Sequence, residues 1–238
     1  MVGNIDAVFH TYRWGKKMTK PSVIEVFSEL TLHCGSIPVV EVGGMLVRQA
    51  DGHTWRHAHD REDMAKKSFG VPADFFAFER EQLDNIPKTE LILWGKGDSM
   101  RVSNIVPTAS GRLSYSEYNL VLEDFATQVL EPVAHANELR VEHTSGFQGL
   151  VDWLSPQGVR KLEVFSACAN RSTGSGHPND RDRWLDFIIA AHEDRSNLSG
   201  RLSRWLIEAE KWPEEIAREL ESEYELGREL LGKYVVKD

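Results

Sequence analysis

Thr89 to Pro107 reads TELILWGKGDSMRVSNIVP, and the fold turns on it. Two runs rich in Leu, Ile and Val flank Gly95-Lys96-Gly97-Asp98, a turn composition, so the spacing predicts two strands joined as a hairpin. Outward toward the C-terminus, LSYSEYNLVLEDFATQVLEP begins with Ser114-x-x-Glu117, the pattern of a capping box. Tyr118, Val121, Leu122, Phe125 and Val129 then follow helical spacing, and Pro132 marks the expected end of that helix. ELRVEHTS reads as a further strand. Strand, long helix and strand in that order predict a β-α-β crossover.

Outward toward the N-terminus the pattern is less regular. In PSVIEVFSELTLHCG, Val23, Val26, Phe27 and Leu30 recur at three- and four-residue steps, which predicts a first helix capped by Ser22 and ended by Gly35. IPVVEVGGMLVR is β-branched and split by Gly43-Gly44, which predicts two short strands about a turn or one bulged strand. GHTWRHAHDREDMAKKSFG has no clear period. PADFFAFEREQL reads as helical.

Beyond residue 150 the chain reads as helices. SPQGVRKLEVFSACAN has Ser155 as cap and Pro156 at the first helical position. HPNDRDRWLDFIIAAHED places Trp184, Phe187, Ile188 and Ala191 on one stripe. SGRLSRWLIEAEKW repeats the pattern with Leu202, Trp205, Leu206 and Ala209. Pro213 opens a last helix whose seam is Ile216, Leu220, Tyr224, Gly227 and Leu231, with Gly227 admitting a close neighbour. The expected class is α+β: a small mixed β-sheet with helices in the N-terminal part, and a mainly helical C-terminal part. The expected division is 1–150 and 151–238, with linkers short enough for the two to share one core.

Composition narrows the function. The chain has 238 residues and a formal charge of −9, which excludes a broadly basic nucleic-acid coat. No apolar run reaches membrane-span length and no signal peptide is legible, so the expectation is a cytoplasmic protein with no membrane contact. Cys34 and Cys168 read as reduced, packed thiols, since they form no C-x-x-C pattern. Near the N-terminus Arg13, Lys16, Lys17 and Lys20 stand against Asp6 alone. Such an arm could meet a phosphate backbone, but the expected reading is a solvated terminal segment without nucleic-acid contact.

Three places could carry chemistry. The first is NRSTGSGHPNDRDRWLD, Asn170 to Asp186. Gly174 and Gly176 permit left-handed backbone, the hydroxyls and N–H groups suit an anion nest, and arginines pair with carboxylate or phosphate. Arg171, Ser172, Thr173, His177 and Arg181 are the residues expected to touch an anion or a partner. Those contacts apply if the loop is functional; the favoured reading of the segment is an ordered interhelical connector that satisfies its own groups. The second is GHTWRHAHDRED, where His53, His57, His59 and Asp60 are donors a transition metal would accept. It matches no H-E-x-x-H pattern, and the expectation is a solvated segment without metal. The third is nucleophilic chemistry, for which no G-x-S-x-G elbow or complete dyad is present. The reading is therefore a cytoplasmic binding or regulatory protein acting through protein–protein contacts, with no cofactor and with an anion-binding loop at 170–183. The alternative is a metal-dependent hydrolase or nuclease with a non-standard His/Asp site.

Overall fold

The computed structural model describes residues 22–52, 54–70, 74–82 and 85–235. The chain divides into two compact units, one spanning Ile24–Gln148 and the other running from Gly149 onward and including Val23. The class is α+β, with helices throughout the C-terminal part.

In the first unit, β1 (Val23–Glu25) and β2 (Leu30–His33) replace the helix expected there. The burial pattern explains why. Ile24, Val26, Ser28, Leu30, Leu32 and Cys34 are all buried, and the residues between them are not. That is a period of two. The three- and four-residue steps came from Val23 and Phe27, which are exposed. The next segment reverses the other way. α1 (Val39–Ala50) is a helix that buries Val42, Gly43, Leu46 and Ala50. Its two glycines are not a turn. A Cβ built on Gly43 would lie 1.9 Å from the Phe76 ring, so glycine is what lets this helix settle onto the sheet.

β3 (Trp55–His57) and α2 (His59–Phe69) follow, then β4 (Phe75–Arg80), where a helix was expected. An unbroken apolar run carries no period to read. Here both faces are covered: Phe76 and Phe78 join the main core, while Phe75 and Ala77 pack with Ala58 and Ala65 at α2. β5 (Thr89–Lys96) and β6 (Ser99–Pro107) form the expected hairpin, turning at Gly97 with φ +65°. The register slips at Ile92/Leu93, opposite Asn104 and Val102, which leaves Ser103 as the extra residue of a bulge.

α3 (Tyr115–Phe125) starts with the full Ser114–Glu117 capping box. The helix does not end at Pro132. It widens into a π-helical turn, Ala126–Leu130, and continues as α4 (Glu131–Ala136). Pro132 falls in the first turn of α4, where its missing N–H is not needed. β7 (Arg140–His143) completes a six-stranded sheet of order β3-β4-β5-β6-β2-β7. Every ladder in it is antiparallel. Both β6 and β7 run antiparallel to β2 between them, so they run parallel to each other. The crossover is a split β-α-β, with β2 inserted. One core lies between this sheet and α1, α3 and the π turn, built on Leu30, Leu32, Leu46, Phe78, Leu91 and Phe125. A further two-stranded ladder joins β1 to β8 (Phe147–Gly149).

The second unit holds α5 (Leu150–Trp153), α6 (Pro156–Cys168), α7 (Pro178–Glu193), α8 (Leu202–Glu208) and α9 (Glu214–Val235). Ser155 caps α6 and His177 caps α7. Trp184, Phe187, Trp205, Leu206, Leu220 and Tyr224 are all buried, as their spacing predicts. Phe165 packs on Trp184 at 4.7 Å and on Trp212 at 5.5 Å, and Phe187 stacks on Tyr224 at 5.7 Å. A Cβ on Gly227 would lie 2.9 Å from Ile188, so this glycine does let α7 and α9 approach.

Candidate functional site

The loop Asn170–His177 is built from its own hydrogen bonds. The Asn170 carbonyl accepts from the Thr173 and Gly174 N–H groups, and the Asn170 side chain accepts from the Ser172 N–H. The Gly176 N–H donates to the Thr173 carbonyl. Gly174 takes φ +56° and packs against Ile216 and Leu220. The buried Ser175 hydroxyl donates to Glu223 at 2.7 Å. The N–H groups of residues 172, 173, 174 and 176 thus turn onto the loop itself and not outward into an anion nest.

The charged residues are placed as follows. Arg171 donates to the Glu210 carbonyl at 2.5 Å, lies 3.7 Å from the Glu210 carboxylate, and rests over the Trp212 ring. Ser172 and Thr173 are exposed. His177 accepts the Asn179 N–H on Nδ1 at 3.3 Å, so its ring serves as the α7 cap. The buried Asp180 accepts from the Asn170 N–H and from Arg183 at 2.7 Å. Arg181 is exposed on α7, apart from Arg171 in chemical role, and has no partner among the described residues. Of the five residues, Arg171 and His177 are thus engaged with Glu210 and the Asn179 N–H, and the side chains of Ser172, Thr173 and Arg181 are exposed.

In the histidine segment, His53 lies outside the described residues. His57 ends β3, and its Nε2 lies 2.6 Å from the Glu62 carboxylate. Glu62 is buried and also accepts the Ala77 N–H at 2.8 Å and Lys66 at 3.3 Å. His59 and Asp60 are exposed in the first turn of α2, with His59 3.7 Å from Asp63. The His57 and His59 rings stand 5.7 Å apart. Among the described residues no group of three or more His, Cys, Asp or Glu is arranged to hold a metal. Glu62, absent from the sequence reading, is what organises this corner, pinning α2 to β4 through Ala77.

A second polar network is buried in the sheet unit. Asp124 accepts from Arg80 at 2.7 Å, from the Trp55 indole at 2.8 Å and from Gln128 in the π turn at 2.7 Å. Arg80 is 2% exposed, and its Nη1 and the Thr89 hydroxyl have no hydrogen-bond partner among the described residues. Arg13, Lys16, Lys17 and Lys20 lie outside the described residues. No helix among those described is long and apolar enough to cross a membrane.

Two surfaces of the helical unit went unread in the sequence. On α9, Leu226, Leu230 and Tyr234 are 58%, 60% and 75% exposed, at four-residue steps. On α7, Leu185 and Ile189 are exposed as well. Relative to the Ile188–Gly227 contact, the helical period turns Leu185, Ile189, Leu226 and Leu230 away from Trp184, Phe187, Leu220 and Tyr224, while Tyr234 stays near the line of Leu220 and Gly227 at the exposed end of α9. The signal was present, since Leu226 and Leu230 fall beside the core seam and not on it. The other surface is a groove of about 790 Å³ lined by residues of α6 and α7, among them Arg160, Lys161, Arg183 and Asp186. Compared with known families, curated proteins and solved structures, the chain gives no match.

Proposed function

We propose that this chain is a cytoplasmic binding protein with a regulatory role, acting through protein–protein contacts at the outer face of α7 and α9. The observation that carries the reading is the row Leu226, Leu230 and Tyr234 left in solvent along the C-terminal half of α9, beyond its buried Ala217, Leu220 and Tyr224. A cluster of large apolar side chains beside a polar rim is what a partner covers. The rim here has a sign. One turn before Leu226, the same face of α9 carries a groove of about 520 Å³ lined by Glu215, Arg218, Glu219, Ser222 and Glu223. The surface is thus an apolar row that runs into an acidic end. It suits an amphipathic helix with a basic flank, docked by its apolar side. The free thiols Cys34 and Cys168 support a reducing compartment.

The experiment compares affinity capture by the wild type and by a Leu226→Glu/Leu230→Glu variant, both expressed in the native host. These side chains are exposed, so melting should not change. The reading requires that a defined partner be lost with the variant, and that Glu215→Lys/Glu219→Lys weaken the same partner. An identical captured set for all three baits rejects it.

A further inference from the structure

We infer that the groove between α6 and α7 is a binding site for a small phosphate ester. Three cations line it, Arg160 and Lys161 from α6 and Arg183 from α7, against one carboxylate, Asp186. They converge on one void in a chain whose formal charge is −9, so the groove opposes the sign of the molecule that holds it. This inference does not rest on the α7–α9 contact face and uses none of its residues.

The state of each cation matters. Arg183 is braced: Asp180, itself buried and tied to the Asn170 N–H, accepts from Nη1 at 2.7 Å. A guanidinium held at one nitrogen keeps further N–H groups in fixed directions, which suits paired hydrogen bonds to phosphate oxygens. Lys161 contacts Asp186 at 2.6 Å, a pair half-open to water and easily exchanged for a stronger anion. Arg160 is exposed and has no partner among the described residues. The α6 side also supplies Pro156 and the half-exposed Val164, so the wall is not purely polar. A bare ion would use only a small part of about 790 Å³. That volume falls in the range of sites for small organic ligands. Cations from both helices, carbon beside them on α6 and room for more than phosphate specify an ester and not the free ion. The arginine-rich segment after Asn170 thus contributes to this site through Arg183, and not through Arg171, Ser172, Thr173, His177 or Arg181, none of which lines the groove.

Titration calorimetry at fixed ionic strength tests this, with adenosine 5′-monophosphate as probe and inorganic phosphate as competitor. Saturable binding is expected, displaced by inorganic phosphate. Arg160→Ala/Lys161→Ala should weaken it about ten- to a hundredfold, the loss typical of charge-assisted hydrogen bonds. Asp186→Asn should tighten it, because it removes the only carboxylate that lines the groove among the described residues and frees Lys161. Arg181→Ala, on α7 but outside the groove, should leave it unchanged. No saturable binding up to about 10 mM, a range set by the weakest measurable affinities, overturns the proposal. So does binding that ignores both the Arg160/Lys161 and the Asp186 substitutions, or that falls equally with Arg181→Ala.

Discussion

Single side chains differ sharply in what their surroundings allow. Cys34 is buried, and burial together with the Asp98 charge raises its thiol above the ordinary value. Cys168 is exposed at the end of α6. One thiol per chain should therefore react rapidly with an aromatic disulfide at neutral pH, and the second only on unfolding; two rapid equivalents would contradict the buried placement of Cys34. At the start of α3 the Ser114 N–H and hydroxyl both donate to Glu117, at 2.7 and 2.8 Å, and hold its carboxyl below the usual value. A lowered folded-state value means a contribution present above the unfolded value and lost as pH falls through the folded one. Wild type should outlast Glu117→Gln in melting at neutral pH, and the gap should close under acid, below the carboxylate range. Asp124 is the strongest case. Replacing it with Ala strands the Arg80 guanidinium in the core and should cost about 3–5 kcal/mol in denaturant unfolding.

At the scale of elements, two adjacent glycines make a sharp comparison. Gly43→Ala drives a methyl into the Phe76 ring and should destabilise by about 1–3 kcal/mol. Gly44→Ala meets only the far end of Arg48 at 3.6 Å, and should stabilise α1 by about 0.5–1 kcal/mol. Equal effects in chemical denaturation would mean that α1 does not lie on the sheet as described. The same pair shows where the sequence misleads. A glycine needed for close packing and a glycine needed for a turn look alike until the neighbour is known. Phe27 is a similar trap: exposed among β residues, it rests on Tyr115 and Tyr118, and its position imitates a helical step. Elements that carry their own instructions were legible, namely the 89–107 hairpin, the α3 capping box, and the Ser155 start of α6. Those whose faces are decided by distant partners, β1, β2, α1 and β4, were not. For candidate sites the sequence supplied residue types without placement. It could not show that Arg171 is engaged by Glu210, or that Arg160 and Arg183 line the same groove.

Across the whole molecule, the two units bury their apolar residues by different rules. The sheet unit gathers residues from strands and helices far apart in sequence, whereas the helical unit packs successive helices, α6 on α7 and α8 on α9. Trp184 is the anchor of the latter, touching both Phe165 and Phe187, and its loss to Ala should cost about 3–5 kcal/mol. In the sheet, β2 is the strand on which the split crossover depends, since Thr31 pairs with Arg101 on one side and Glu142 on the other. During synthesis β2 leaves the ribosome well before either of its neighbours, β6 and β7. Until then Leu30 and Leu32 have no strands beside them, and a chaperone that guards nascent apolar segments has a long task here. Refolding should accordingly be slow in its last sheet-forming step, and a Leu32→Asp substitution should be felt as lost yield in the cell before it is felt as lost binding.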